Sequence, residues 1–283
     1  MAKVLHRQTF MNERTAQTLR QVVDSGGHLL FLTGAGVSAE SGIPTFRGPE
    51  GFWTVGSSVY RPEELATLRT FMRDPELVWP WYLWRRQVCR NAAPNPAHDA
   101  FVAIERILGD QFTLVTQNVD GLHLRAGNSK DRTFEIHGNI DFYRCSNDCG
   151  QLKKPIGDLP GVRREAVFQK EWGHTLECSA CRSWMRPHVL WFDESYDERR
   201  YRLHSTIQAG SEADILIVAG TTGATSLPAH LLQMAIDKDI PIIDINPNEN
   251  PFSVAAQRTT GGWLKTSAVD GMQSILRALN EKK

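Results

Sequence analysis

Short apolar runs separated by polar, helix-prone stretches recur along this chain of 283 residues. Four of them, at residues 28–33, 112–116, 215–219 and 240–245, are rich in Leu, Ile, Val and Phe. Runs of this kind are typical of strands covered on both faces, and their alternation with helices predicts a doubly wound α/β fold on a parallel sheet. Residues 15–23 predict an amphipathic helix before the first strand, and residues 272–279 predict a closing helix.

Two segments interrupt this alternation. Residues 48–96 are rich in aromatic side chains and Arg, with helical spacing in 75–90, and residues 142–185 are polar without a clear period. We interpret both as insertions into one domain, residues 1–283. A large Rossmann-like lobe would comprise approximately residues 10–47, 97–138 and 187–283. A small lobe would comprise a helical part, 48–96, and a cysteine-containing module, 139–186.

The overall charge gives no support for nucleic-acid or membrane partners, although local charged patches remain possible. Lys and Arg number 32 and Asp and Glu number 32, so no net field favours nucleic acid or an anionic membrane surface. The sequence has no apolar run of about 18 residues and no signal-like amino terminus. We therefore expect a cytoplasmic protein without nucleic-acid or membrane partners.

The five cysteines divide into two close pairs and one single residue. Cys145 and Cys149 precede Cys178 and Cys181 by 28 intervening residues. In a reducing compartment, pairs with this spacing are more often metal ligands than disulfides, and four thiolates form a closed structural zinc site. The first pair is one residue longer than the usual C-x-x-C, and four free buried cysteines would be unusual in so polar a segment. Cys89, in the helical insertion, is expected to serve packing.

A glycine-rich turn, GAGVSA at residues 34–39, follows the first predicted strand. It matches the dinucleotide fingerprint with Ala as the third small residue, although a simple strand-to-helix turn would look similar. A dehydrogenase would also carry an acid at the end of a second strand about 20 residues later. Residues 54–60 offer neither the strand nor the acid.

Seven motifs in order make the sequence recognisable. They are GAGVSAESGIPTFRG at 34–48, TQNVDGLH at 116–123, IHG at 136–138, the cysteine pairs, RPHV at 186–189, GTT at 220–222 and INPN at 245–248. Together they resemble the sirtuins, the NAD-consuming protein lysine deacylases, from about residue 15 to residue 280. The resemblance implies NAD as cosubstrate and one structural zinc.

The resemblance also implies a catalytic set. Sirtuins cleave the nicotinamide–ribose bond, the acyl oxygen of the lysine attacks the ribose carbon, and a base then activates a ribose hydroxyl. His137 matches that base, a role for which the pKa of histidine is suited. Asn118 and Asp120 would hold the ribose and an ordered water, and Gln117 would also contact the ribose. His123 is interpreted as a structural neighbour.

The remaining NAD contacts follow from the same motifs. The loop after Gly220 is about one residue longer than the family's, and Asn246 and Asn248 would reach the adenine ribose from a strand end. The full set of expected NAD contacts, besides Gln117, Asn118, Asp120 and His137, is Gly34, Ala35, Gly36, Ser38, Thr45, Phe46, Arg47, Gly220, Thr221, Ser226, Asn246, Asn248 and Ala268.

Tyr82 and Arg85 are three residues apart in the helical insertion and therefore share a helix face. A phenol beside a guanidinium can bind a carboxylate, as on a succinyl, malonyl or glutaryl group, whereas an acetyl group has none. The pair resembles the desuccinylase and demalonylase branch of the sirtuins, as do the small Ala66 and Thr45 in place of Asp. Without the family, the simpler interpretation is a helix whose Arg85 and Arg86 face solvent.

Acylated protein substrates are expected to bind as extended peptides between the lobes, through backbone groups. Val189, Trp191 and Phe192 would form one side of that groove. Asp193 stands where the family usually has Gly, which removes backbone freedom and adds a charge near the groove.

Other functions remain open at this stage. A plain deacetylase, a mono-ADP-ribosyltransferase and an NAD hydrolase share the cofactor cleavage. Retention of His137 and of the Tyr82–Arg85 pair favours deacylation of acidic acyl groups. A non-catalytic sensor of NAD or acyl-lysine would predict loss or burial of the catalytic residues, which the sequence does not indicate.

Overall fold

The computed structural model describes residues 11–45, 62–150 and 152–281. In chain order, its strands are β1 Leu29–Thr33, β2 Phe112–Thr116, β3 Thr133–Glu135, β4 Gly138–Cys145, β5 Lys154–Pro155, β6 Met185–Val189, β7 Ile215–Ala219, β8 Ile242–Ile245 and β9 Gly262–Leu264.

The α-helices follow the same numbering. They are α1 Glu13–Asp24, α2 Pro62–Leu65, α3 Leu68–Arg73, α4 Pro75–Asn91, α5 Pro96–Leu108, α6 Leu122–Ala126, α7 Trp172–Thr175, α8 Glu198–Tyr201, α9 Leu203–Glu212, α10 Ser226–Asp237, α11 Pro251–Ala256 and α12 Ala268–Asn280. Three short 3₁₀ turns occupy Ala35–Val37, Ala39–Ser41 and Gly109–Gln111.

Six strands form one parallel sheet in the order β3-β2-β1-β7-β8-β9. Alternate residues of its strands face opposite layers: Phe31 packs with α1, α5 and α12, whereas Leu32 packs with α9, α10 and α11. The predicted doubly wound α/β architecture is therefore confirmed. The strand order reverses between β1 and β7, and ligands of open α/β sheets bind at the carboxyl ends of the strands at such a point.

In a second, antiparallel sheet, β5 lies within the polar segment, and β4 and β6 overlap its two ends. Helix α4 contacts both β4 and β6, and the Trp79 indole N–H donates to the Met185 carbonyl over 2.9 Å. Side chains of α4 and of the cysteine-containing module pack there in an apolar core separate from that of the large sheet. Both insertions thus contribute to one smaller core beside the large sheet.

No helix within the described ranges is both long and apolar enough to span a bilayer.

Candidate active site

Two glycine turns meet at the carboxyl ends of β1 and β7. The Gly36 N–H donates to the Gly220 carbonyl over 2.8 Å, and the Gly34 N–H donates to the Ala219 carbonyl over 3.1 Å. A Cβ on Gly36 would lie 2.7 Å from the Gly220 Cα, so a larger residue would separate the two turns. The structure brings Gly34, Ala35 and Gly36 together with Gly220 and Thr221, at the point where the strand order reverses.

Ser38 connects the glycine turn to the Asn-Val-Asp motif after β2. Its hydroxyl donates to Asp120 Oδ2 over 2.8 Å and accepts from Asn118 Nδ2 over 3.1 Å. Asn118 Nδ2 also donates to the Gly34 carbonyl over 3.0 Å. Burial raises the pKa of Asp120, while the Leu122 N–H, the Ser38 hydroxyl and Arg125 act in the opposite direction. The motif residues therefore form one fixed polar network at the sheet edge.

His137 lies between β3 and β4, beside Gln117. Its Nδ1 is 3.0 Å from the Gln117 carbonyl oxygen, which can only accept, so Nδ1 carries the proton and Nε2 is the basic nitrogen. Burial lowers the pKa of His137 to about 4, although the Gln117 carbonyl raises it. The imidazole is therefore neutral near pH 7, as a general base must be.

Gln117 joins the catalytic region to the second glycine turn. Its side-chain amide donates to Thr221 Oγ1 over 2.8 Å, and its Oε1 accepts from Thr225 Oγ1 over 3.2 Å. His123, by contrast, is buried and lies 3.1 Å from the Thr33 hydroxyl on β1, in agreement with a structural role.

The expected adenosine contacts occupy the ends of later elements. Asn246 is buried after β8 and donates to the Thr221 carbonyl over 3.1 Å, while Asn248 is exposed beside it. Ser226 is exposed at the start of α10, and Ala268 is buried at the start of α12. Thr45 ends the first described range, and the expected contacts Phe46 and Arg47 lie outside the described residues.

Cys145, Cys149, Cys178 and Cys181 converge, with all four sulfur atoms within 4.8 Å of one another. Three of the S···S separations, Cys145–Cys149, Cys145–Cys181 and Cys149–Cys178, are 3.5 Å. Tetrahedral zinc with Zn–S bonds of about 2.3 Å requires sulfurs about 3.8 Å apart. The donor set and its geometry thus fit one structural zinc ion, and the longer first pair does not prevent convergence.

The Tyr82 phenol lies against Trp191, whose indole N–H donates to its oxygen over 2.6 Å. Burial raises the pKa of Tyr82, and nearby Arg85 partly offsets that rise. The Arg85 guanidinium lies 4.6 Å from the Trp81 ring centroid and 5.5 Å from that of Tyr82. These contacts join Tyr82, Arg85 and Trp191 in one buried group.

Arg85 and Arg86 are both buried, so the simpler interpretation, in which these two arginines of α4 face solvent, is wrong. Arg86 Nε donates to Asp141 Oδ1 over 2.9 Å, and its Nη2 donates to the Ile156 carbonyl over 3.1 Å. Arg86 therefore connects the helical insertion to the smaller sheet, whereas Arg85 points toward the aromatic group.

The expected groove residues are close to Ala66. The Phe192 N–H donates to the Ala66 carbonyl over 3.1 Å, and Ala66, Tyr82, Val189 and Trp191 share one apolar cluster. The side chain of Phe192 is 58% exposed. Strand β6 ends at Val189, so Trp191 and Phe192 lie in the following turn rather than in a strand.

Two features of this turn were missed by sequence reasoning. Asp193 accepts from the N–H groups of Leu68 and Arg69 over 2.7 and 3.0 Å, so its carboxylate holds α3 in addition to placing charge near the groove. The Tyr196 hydroxyl lies 2.8 Å from His137 Nε2. The sequence marks Asp193 as a departure from the family but does not indicate its contact with α3. Nothing in the sequence links Tyr196 to a residue 59 positions earlier.

Comparisons with known proteins agree with this geometry. The Sir2 family profile matches residues 34–226. The "NAD-dependent protein deacylase" of Leptospira interrogans serogroup Icterohaemorrhagiae serovar Lai is 46% identical over 222 residues, 78% of this chain and 82% of that protein. The "NAD-dependent protein deacylase sirtuin-5, mitochondrial" of Danio rerio is 37% identical over 238 residues, 79% of this chain and 75% of that protein.

A solved structure described as a Sir2 homolog–NAD complex superposes with a TM-score of 0.77 at 35% identity. The alignment covers 97% of this chain and 96% of that one. The family profile and the superposition therefore both span most of the chain. This chain belongs to the Sir2 family.

Proposed function

We propose that this chain, an NAD-dependent protein deacylase of the Sir2 family, preferentially removes acidic acyl groups such as succinyl, malonyl or glutaryl from lysine. The observation that carries the proposal is the position of Arg85. The residue is only 4% exposed, and its guanidinium lies 4.6 Å from the Trp81 ring centroid and 5.5 Å from that of Tyr82.

The Tyr82–Arg85 pair has the chemistry to recognise a carboxylate. Because an indole N–H can only donate, the Tyr82 oxygen accepts from Trp191, and its own proton is available for a second acceptor. Arg85 supplies a planar donor fork of the kind that binds carboxylates bidentately. A terminal acyl carboxylate could thus receive one phenol and one guanidinium contact, whereas an acetyl group would reach neither.

Ala66 supports the same pocket. It is buried in the cluster that contains Tyr82 and Trp191, and its backbone is held to Phe192. A methyl side chain at this position leaves more room than a larger apolar residue would. We infer that this room serves an acyl chain several atoms long, as in the acidic groups.

The catalytic roles follow from the polar network. NAD, when bound, supplies the ribose carbon that accepts the acyl oxygen and the nicotinamide that leaves. We assign His137 Nε2 to remove the proton of a ribose hydroxyl, while the Gln117 carbonyl fixes the imidazole. Asn118 and Asp120, held by Ser38, would position the ribose and a water.

The other NAD and peptide contacts are assigned from the places of their residues in the fold. The two glycine turns would hold the phosphates with backbone N–H groups, and Thr45, Ser226, Asn246, Asn248 and Ala268 would complete the NAD site. The substrate would lie as an extended peptide beside Val189 and the exposed Phe192.

The test uses one peptide with a single lysine that is acetylated, malonylated or succinylated. Mass spectrometry follows peptide mass and O-acyl-ADP-ribose in the presence of NAD. The proposal expects kcat/KM to be higher for the acidic groups than for acetyl, and His137→Ala to abolish deacylation of all three peptides. Equal or faster deacetylation would overturn the acyl preference, and NAD consumption without peptide change would indicate a hydrolase or transferase.

A further inference from the structure

The basic nitrogen of His137 already has a partner within the protein. Tyr196 lies between Glu194 and Asp197, in the turn that connects the groove segment to α8, and its hydroxyl is 2.8 Å from His137 Nε2. The two rings lie 5.8 Å apart between centroids and are inclined by 33°. Tyr196 therefore faces the one atom that the reaction needs as a base.

The direction of this hydrogen bond is fixed. His137 Nδ1 donates to the Gln117 carbonyl, so Nε2 of the neutral ring can only accept and the phenol must donate. Burial raises the pKa of Tyr196 to about 12 and lowers that of His137 to about 4. Both groups are neutral near pH 7, which agrees with a phenol donor and an imidazole acceptor.

A second contact holds the phenol in place. Thr225 is the N-cap residue of α10, yet its hydroxyl makes no capping hydrogen bond. It instead donates to Gln117 Oε1 over 3.2 Å and also interacts with Tyr196. Because the backbone carbonyl of Gln117 accepts from His137 Nδ1, Gln117 contacts both His137 and the Thr225 hydroxyl beside Tyr196.

We propose that Tyr196 is a positioning residue that occupies His137 Nε2 in the free enzyme and is displaced by a ribose hydroxyl of the NAD cosubstrate. This inference rests on the proposed catalytic role of His137. A ribose hydroxyl that gives its proton to Nε2 must lie along the same lone pair as the phenol. Because one sp² nitrogen lone pair accepts one strong donor, the ribose hydroxyl and the phenol cannot both bind Nε2. The phenol thus takes the place that the ribose hydroxyl would take on Nε2.

The location of Tyr196 also couples the exchange to the peptide groove. Glu194 Oε2 accepts from the backbone N–H of Trp191 over 3.0 Å and from Arg186 Nη2 over 2.7 Å. Tyr196 follows two residues later on the same turn, with Asp197 capping α8. A substrate that binds against Val189 and Phe192 would therefore contact the segment that carries Tyr196.

The test measures binding of ADP-ribose, which contains the distal ribose and cannot turn over. Tyr196→Phe keeps the ring and removes the hydroxyl, and Tyr143→Phe is a matched control on β4, outside the site. If the ligand must break the phenol–imidazole hydrogen bond, Tyr196→Phe should lower the dissociation constant for ADP-ribose about fivefold. This factor corresponds to the net free energy of one ordinary hydrogen bond. Tyr143→Phe should leave the constant unchanged.

Nitrogen NMR of the His137 ring gives a second readout. The Nε2 signal should differ between the wild type and Tyr196→Phe in the free proteins, and should coincide when both are saturated with ADP-ribose. Equal or weaker binding by Tyr196→Phe, or a signal difference that persists in the complex, would overturn displacement. Failure of the wild type to bind ADP-ribose would instead contradict the proposed NAD site.

Discussion

Trp191 donates its indole N–H to the phenol oxygen of Tyr82 over 2.6 Å, across the boundary between the helical insertion and the groove segment. The bond fixes which way the phenol proton can point, because the oxygen already accepts from the indole. It also gives Tyr82 a structural role besides the carboxylate recognition that we propose for it.

Tyr82→Phe separates these two roles. It should lower kcat/KM for a succinylated peptide about tenfold, since a hydrogen bond to a charged group is lost. It should also lower the free energy of unfolding by about 1–3 kcal/mol, because the buried Trp191 N–H loses its acceptor. Steady-state kinetics and urea denaturation measure the two effects. An unchanged succinyl-to-acetyl ratio would contradict the assignment of Tyr82 to carboxylate recognition.

Arg85 and Arg86 provide a matched pair of adjacent charges with different roles. Arg85→Met should reduce kcat/KM for the succinylated peptide roughly 10- to 100-fold, with little change for the acetylated peptide. Arg86→Met should keep the succinyl-to-acetyl ratio but cost about 1–3 kcal/mol of stability, because Asp141 loses its nearer partner and keeps only Arg90 at 3.8 Å. If both variants changed the ratio equally, the effect would reflect general damage to α4.

The cysteine cluster predicts one zinc ion per chain. Cys149→Ser, or treatment with a strong chelator, should remove it, as measured by elemental analysis. Since metal binding on the order of 10 kcal/mol couples to folding in such modules, the thermal midpoint should fall. Binding of ADP-ribose should persist, because the glycine turns lie on the large sheet. A fully metallated, equally stable Cys149→Ser protein would contradict the four-cysteine site.

Asp244 should make stability depend on pH. Burial in β8 raises the pKa of Asp244 to about 7, although Asn250 opposes the shift with a hydrogen bond. Between the unfolded value, near 3.9, and the folded value, the folded state holds a proton that the unfolded state releases, so this group lowers stability as pH rises. The loss is complete once the folded carboxyl also ionises.

Asp244→Asn replaces the neutral acid with a neutral amide that does not titrate. Its stability relative to the wild type should increase by about 1.4 kcal/mol per pH unit from pH 4 to pH 7 and then level off. Denaturation at several pH values measures the difference. A difference independent of pH would show that Asp244 is ionised in the fold throughout this range.

Local sequence predicted the large sheet well. The apolar runs at 112–116 and 215–219 coincide with β2 and β7, and the helix predicted at 75–90 is α4, Pro75–Asn91. The short edge strands β3 and β9 were missed, because three residues with mixed polarity carry no period. Strands β4 and β6 were also missed, since their pairing is set by the smaller core rather than by alternation.

The parts of the site that were predictable are those in which residue type and spacing alone indicate the function. The cysteines converge as expected, and the glycine turns meet because only glycine permits their backbone contact. The burial of Arg85 was not evident from spacing, since it depends on the rings of Trp81 and Tyr82. The contact between Tyr196 and His137 joins the turn before α8 to a residue between β3 and β4, and no local pattern encodes such a long-range hydrogen bond.

The most direct test of the acyl preference compares two peptides of nearly equal shape. One carries a succinyl-lysine, and the other carries the corresponding succinamyl-lysine, in which a neutral carboxamide replaces the carboxylate. If Arg85 and Tyr82 recognise the charge, kcat/KM with NAD should be at least about tenfold higher for the succinyl peptide. Equal rates for the two peptides would show that the pocket selects length alone, and would contradict carboxylate recognition.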